Sequence, residues 1–231
     1  MPRRLFVFGC VFCATYMAAL LIHWTPPTAA QSPTEIHYLP QIANAYCGPF
    51  LDPFDDNVAF WFTGHADVLR AEIVGGEYRL AFSGLGGEIW FVPAPVCPRG
   101  SYQAAVDVRW AGATGNFIGL LFNLDEAAGR AHLFAVNTDA RVWLVFEVHG
   151  DNLDIVIPPT AHDAILPGNA ANRLAVGRSG DRITLRINDT AVGELIVVLP
   201  GAPVLAGVAA ASYTTQSSAD ARFDNFFWSD E

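Results

Sequence analysis

The chain has 231 residues, of which 52% are hydrophobic and 16% charged, enough apolar material for one large core and too little polarity for low-complexity disorder. All 13 basic residues are arginine and all 23 acids follow position 34, so the formal net charge of −10 becomes about −12 once Arg3 and Arg4 are taken from the basic side. Such an acidic balance repels phosphate backbones and anionic lipid, which argues against nucleic acid or a membrane surface as partners.

Pro2-Arg3-Arg4, the apolar run Leu5 to Ile22 and the small residues Thr28-Ala29-Ala30 before Gln31 read as a signal peptide over residues 1–30. The consequence is export, to a secreted or cell-surface location. The rival reading is a retained anchor, because the run approaches the roughly 18 to 20 apolar residues that span a bilayer. Pro26-Pro27 and the small residues beyond it favour cleavage, which leaves no membrane segment in the mature chain. Val7-Phe8-Gly9-Cys10 puts a bulky Phe where a lipoprotein signal needs a small residue.

Cys10 and Cys13 fall within that segment, so the mature chain keeps Cys47 and Cys97, an even number suited to an oxidising compartment. A disulfide between them is expected, with two buried thiols as the alternative. Neither has a second Cys or a His at metal-ligand spacing.

Residues 31–50 are rich in Pro, Ala and polar side chains and read as an N-terminal arm, with one domain over residues 51–231. Val58 to Phe62 is the first aromatic, apolar run. Leu69, Ala71 and Ile73, then Tyr78, Leu80 and Phe82, flank Gly75-Gly76, a hairpin turn whose positive φ costs glycine nothing. Trp90 to Val92 precedes a proline-bounded loop. Val106, Val108 and Trp110 alternate with more polar neighbours, and Phe117 to Phe122 is nearly continuous, as a strand covered on both faces would be. Asp125 to Ala131 fits a short helical turn or a strand connection. Leu133 to Asn137 and Val142 to Val148 flank the turn Thr138-Asp139-Ala140, and Ile155 to Ile157 leads into a loop. In Asn172 to Glu194, Leu174 and Val176 alternate up to a turn at Ser179-Gly180-Asp181. Ile183, Leu185 and Ile187 then alternate down to a second turn at Asn188-Asp189. Val204 to Ser212 and Arg222 to Trp228 bring the count near a dozen short strands, the pattern of an all-β, two-sheet antiparallel sandwich.

The order N-x-L-x-V, glycine turn, x-I-x-L-x-I-N-x-x-x-V, closing on Phe223-Asp224-Asn225-Phe226, resembles the concanavalin A-like jelly rolls of bacteria. Laminin-G-like domains and 3-keto-disaccharide hydrolase (family 16 glycoside hydrolase-like) domains are among them. The resemblance implies a jelly-roll sandwich that serves both lectins and enzymes, so function must be argued from a site.

Glucan hydrolases of family 16 carry E-x-D-x-E or E-x-D-x-x-E on one strand, where alternation puts three carboxylates on the concave face. This chain has no such triplet: Glu72 and Glu77 straddle a turn, and Glu147 is followed by Asp151 and Asp154. It has no G-x-S-x-G, no H-E-x-x-H and no lysine, and Gly84 to Gly87 lacks the following helix of a phosphate loop. His132 and His149 lie on neighbouring candidate strands. Sugar binding needs flat aromatic faces and planar polar groups, for which Trp90, Trp110 and Trp143 with Asn123, Asn137 and Glu147 are the candidates. Asp52, Asp55 and Asp56 near the first strand and Asp224 on the last could hold a structural calcium, with no other cofactor implied. Against it stands the use of Asp224 and Asn225 to satisfy backbone groups at a strand end.

The leading expectation is an exported, non-catalytic module that binds glycan or another cell-surface ligand. The alternatives are a hydrolase of 3-keto-glycosides or related sugars using Glu147 or Asp125, and a structural or adhesive module of the cell envelope.

Overall fold

A computed structural model describes residues 35–38, 45–66, 68–83, 88–112, 114–150, 152–197, 203–212 and 218–230. The signal segment, Cys10, Cys13 and Gly84 to Gly87 lie outside the described residues. Sixteen strands occur among them. In chain order these are β1 (Glu35–Tyr38), β2 (Phe50–Asp52), β3 (Gly64–Ala66), β4 (Leu69–Ile73), β5 (Tyr78–Ser83), β6 (Glu88–Pro93), β7 (Tyr102–Trp110) and β8 (Phe117–Asp125). They continue with β9 (Arg130–Asn137), β10 (Val142–His149), β11 (Asn152–Ala161), β12 (Asn172–Ser179), β13 (Arg182–Ile187), β14 (Thr190–Ile196), β15 (Leu205–Ser212) and β16 (Ser218–Ser229). A seven-stranded sheet runs β1-β6-β15-β8-β9-β10-β11. A nine-stranded sheet runs β14-β13-β12-β7-β16-β5-β4-β3, with β2 also paired to β16. Every pairing is antiparallel except β1 with β6. The sandwich expected from the alternation is therefore present. The strand count exceeds the expected dozen because β1, β2 and β3 have only three or four residues, too few to show a period.

Period-2 patterning decides which side of each strand is covered. In the nine-stranded sheet Tyr102, Ala104, Val106, Val108 and Trp110 of β7 and Ala219, Ala221, Phe223, Phe226 and Trp228 of β16 are buried, while Asp107, Arg109, Asp220 and Arg222 between them are only partly so. The seven-stranded sheet is apolar on both faces. Ile118, Leu120, Phe122, Phe134 and Val145 are buried on one, Leu121, Leu133, Ala135, Leu144 and Phe146 on the other, which is why its strands read as continuous runs. Each aromatic buried this way removes enough apolar surface from water to contribute about 1.5–3 kcal/mol.

The turns follow their residues. Gly75 and Gly76 take φ of 65° and 77°, and Asn188 and Asp189 take 47° and 64°, the left-handed pair that a two-residue hairpin needs. The asparagines of the β12–β13 hairpin do more than turn. Asn172 Oδ1 accepts from the Leu166 N–H at 2.8 Å and from Asn188 Nδ2 at 2.9 Å, and Asn188 Nδ2 also donates to the Ala164 carbonyl at 2.7 Å. The loop before β12 is thereby fastened to the hairpin.

Four segments change or complete these expectations. Val58 to Phe62 is not a strand but part of a loop after β2, where Asp52 accepts from the Phe54 N–H and from Trp61 Nε1, both at 2.8 Å. Of its aromatics Trp61 is fully buried, against Phe54 of the same loop, instead of pairing in a strand. Ile155 to Ile157 belongs to β11, a ten-residue edge strand that is mostly exposed. Within residues 31–50, Glu35–Tyr38 pairs with β6 and Phe50 begins β2. Asp125 to Ala131 is a turn, in which Asp125 Oδ1 accepts from the Ala128 N–H at 3.0 Å and Gly129 has φ of 59°.

Cys47 and Cys97 are disulfide-bonded, with their Cα atoms 4.8 Å apart. Arg99 donates to the Cys47 and Gly48 carbonyls at 2.8 and 3.1 Å and pairs with Asp230, while Trp228 Nε1 donates to the Cys97 carbonyl at 3.3 Å. The bridge thus joins the segment before β2, the β6–β7 connection and the end of β16.

Candidate functional site

The outward face of the nine-stranded sheet is a lattice of arginines and carboxylates built by register. Glu72 opposes Arg79 across β4 and β5, and Arg79 opposes Arg222 across β5 and β16. Arg79 grips Asp220 with Nε at 3.1 Å and Nη2 at 2.7 Å, and holds Glu72 with Nη1 at 2.8 Å. Arg222 Nε adds a bond of 2.5 Å to Asp220. Further along, Arg109 forks onto Glu77 at 2.6 and 2.5 Å, and Arg173 meets Asp107 at 2.9 Å.

One end of this lattice forms an open cleft of about 390 Å³. Arg70, Arg79, Ser83, Gly112, Ser218 and Asp220 are among its lining residues, with Val68 and Ala81 supplying apolar wall. Hydrogen bonds from Arg79, helped by the charge of Arg70, hold the Glu72 carboxyl below its usual range. Burial works against the charge on Asp220, but the bonds from Arg222 and Arg79 outweigh it, so its carboxyl is also held low. Neither is a proton donor near neutral pH. What the cleft offers is a rigid set of planar polar groups beside apolar wall, a chemistry suited to hydroxyl-bearing ligands.

The residues expected to bind ligand lie elsewhere. Trp90 and Trp143 are 3% exposed and Trp110 is fully buried, so none offers a ring face for stacking. Trp143 packs inward: a Cβ on Gly193 of β14 would come within 2.6 Å of its ring. Asn137 organises a turn, its Nδ2 donating to the Gly115 carbonyl at 3.1 Å and its Oδ1 accepting from the Ala140 N–H at 2.9 Å. Asn123 is buried and accepts from the Tyr102 hydroxyl at 2.8 Å. Glu147 is half-buried, opposite His132 in register and 3.4 Å from Arg130 Nε. The expected set therefore splits, and only Asn123 and Glu147 fall at one end of the sandwich. There they join His132 and Arg178, two buried residues on inward positions. Arg178 was legible: it shares the parity of Leu174 and Val176. So were the cleft residues Arg79 and Asp220, which fall on the polar parity of β5 and β16.

The calcium set does not assemble. Among the described residues no group of three His, Cys, Asp or Glu side chains is placed to hold a metal ion. Asp52 commits its two oxygens to Phe54 and Trp61, and burial raises its pKa. Asp55 is exposed, and Asp224 accepts from the Asn225 N–H at 2.7 Å, with its pKa raised by burial and then by Asp107, Glu77 and Asp55.

His132 stacks on Phe122 at 5.2 Å. Burial, then the charges of Arg130 and Arg178, push its pKa down to about 4. An unfolded imidazole titrates near 6.5, so between those values the unfolded chain binds the extra proton. Stability is then full above about pH 6.5 and falls by about 3 kcal/mol as pH drops towards 4. Urea unfolding across pH 4–7 at fixed ionic strength should show this slope, and His132→Phe should flatten it; an unchanged slope in the variant would assign it to other groups.

No protein-family model matches the chain, and no curated protein matches it significantly. Solved structures do. The carbohydrate-binding module CBM66 from Bacillus subtilis is similar over 82% of this chain and 99% of its own, at 16% identity and a TM-score of 0.51. A Bacillus licheniformis beta-glucanase matches 80% of this chain and 99% of its own, at 14% identity and a TM-score of 0.57. A prokaryotic beta-1,3-1,4-glucanase (lichenase) from a mouse hindgut metagenome covers 80% and 100%, at 12% identity and a TM-score of 0.57. The chain has the concanavalin A-like jelly-roll fold.

Proposed function

We propose that the protein is an exported, non-catalytic module that binds a glycan or a similar hydroxyl-rich cell-surface ligand in the cleft beside Arg79 and Asp220. The observation that carries the reading is the fixed Glu72–Arg79–Asp220–Arg222 chain at an open cleft with apolar wall. Its carboxylates are locked in the ionised form, which suits them to accept hydrogen bonds from hydroxyls and not to protonate a leaving group. The fold is shared by proteins whose names state carbohydrate binding or glucan cleavage, in keeping with a sugar ligand. Glu147 facing Arg130 and Asp125 holding a turn favour binding over the hydrolase alternative.

A glycan array with the purified protein tests the reading, followed by titration of any hit. Arg79→Ala is expected to weaken binding about tenfold to a hundredfold, the worth of one or two charge-assisted hydrogen bonds. Arg182→Ala, at an exposed pair with Glu194, should leave it unchanged. Equal affinities for the two variants would move the site away from this cleft, and no glycan bound at all would end the proposal.

A further inference from the structure

At the end of the sandwich formed by the β8–β9, β10–β11 and β12–β13 turns, the space between the sheets holds Tyr102, Asn123, His132 and Arg178, all buried. Arg178 is 3% exposed. Its Nε donates to the Gly180 carbonyl at 3.0 Å, and among the described residues its Nη1 has no partner and it forms no ion pair with a carboxylate. A guanidinium is a permanent cation, and removing nearly all of its surface from water with no counter-charge among the described residues is costly.

The surrounding groups are short of acceptors. The Tyr102 hydroxyl occupies Asn123 Oδ1, and among the described residues Asn123 Nδ2 and His132 Nδ1 have no partner. Tyr102 opposes Arg178 across β7 and β12, and the charge of Arg178 reaches both Tyr102 and His132. Arg130 is balanced by Glu147, 3.4 Å away, and His132 is neutral at pH 7. Among the described residues the cluster therefore carries one uncompensated positive charge, from Arg178.

We infer that this end of the sandwich is a binding site for a small monovalent inorganic anion of halide size, held by Arg178 Nη1 and Asn123 Nδ2, with His132 beside it. Water would satisfy the N–H groups but not the charge. A sugar is excluded, since all four side chains are closed off from the surface. The site is separate from the outward cleft and does not depend on what the cleft binds.

An anion that binds only the folded state raises the unfolding temperature as its concentration rises. In the purified protein, sodium chloride titrated against sodium gluconate at constant ionic strength should raise Tm by about 3–6 °C per tenfold increase above the dissociation constant. Arg178→Met keeps most of the side-chain volume and drops the charge, so its Tm should not respond to chloride. Crystals of the unaltered protein soaked in bromide provide a second readout that needs no variant: an anomalous peak within hydrogen-bond reach of Arg178 is expected. A chloride-independent Tm in the unaltered protein, the same response in Arg178→Met, or no bromide beside Arg178 would each overturn the inference.

Discussion

Trp61→Ala is expected to destabilise the protein by about 3–5 kcal/mol, the usual cost of removing a buried indole. The ring is completely buried and lies 5.1 Å from Phe54, 5.3 Å from Tyr78 and 5.1 Å from Phe226, so its loss opens a cavity that three large rings cannot collapse into. It also strips one of two donors from Asp52, whose carboxyl burial already disfavours as an anion. Trp61→Phe separates these effects. It retains an aromatic body while breaking the Nε1 bond, and should cost about 1–3 kcal/mol, the penalty for a buried group left short of a partner. Urea unfolding of both variants is the measurement. If Phe and Ala cost the same, the hydrogen bond to Asp52 and not the packing holds the loop after β2.

Breaking the Cys47–Cys97 bond is expected to lower stability by about 4 kcal/mol, the chain-entropy value for a loop of this length. The two residues are 50 apart in sequence, and the segment before β2 is otherwise held through Arg99 and a short isolated pairing of Tyr46 with Val96. Comparison of urea midpoints for the oxidised protein and the Cys47→Ser/Cys97→Ser double variant gives the figure. A difference under about 1 kcal/mol would mean that the reduced chain remains as constrained as the oxidised one.

The hairpins were legible because their turns permit few residues. Gly-Gly at 75–76 and Asn-Asp at 188–189 both supply two successive left-handed residues, and the flanking alternation then sets the register. The loop after β2 was not legible. Its aromatic run has the composition of a strand, and only the contacts of the Asp52 carboxylate show that Phe54 and Trp61 are plugs. The tryptophans misled for a different reason. Parity places Trp90 and Trp143 on a face but does not say which face is open, and in a sheet apolar on both sides neither is. The polar residues that matter carried a positional signal instead. Arg178 interrupts the apolar parity of Leu174 and Val176, as His132 interrupts that of Phe134 and Val136.

Strand β11 ends the seven-stranded sheet, its far edge unpaired among the described residues, and Ile155 and Val156 are 56% and 41% exposed there. Such an edge is a template on which a second molecule could extend the ladder. Pro158 and Pro159 interrupt it: neither has an amide hydrogen to donate, and the pairing with β10 slips where they sit, from Ile157 opposite Val145 to Thr160 opposite Trp143. An incoming strand could therefore zip along Asn152 to Ile157 and no farther, with Asp154 setting a charge in that stretch. The two prolines thereby cut the length of bare edge on which a second strand could pair, the role of gatekeeper residues beside an exposed strand.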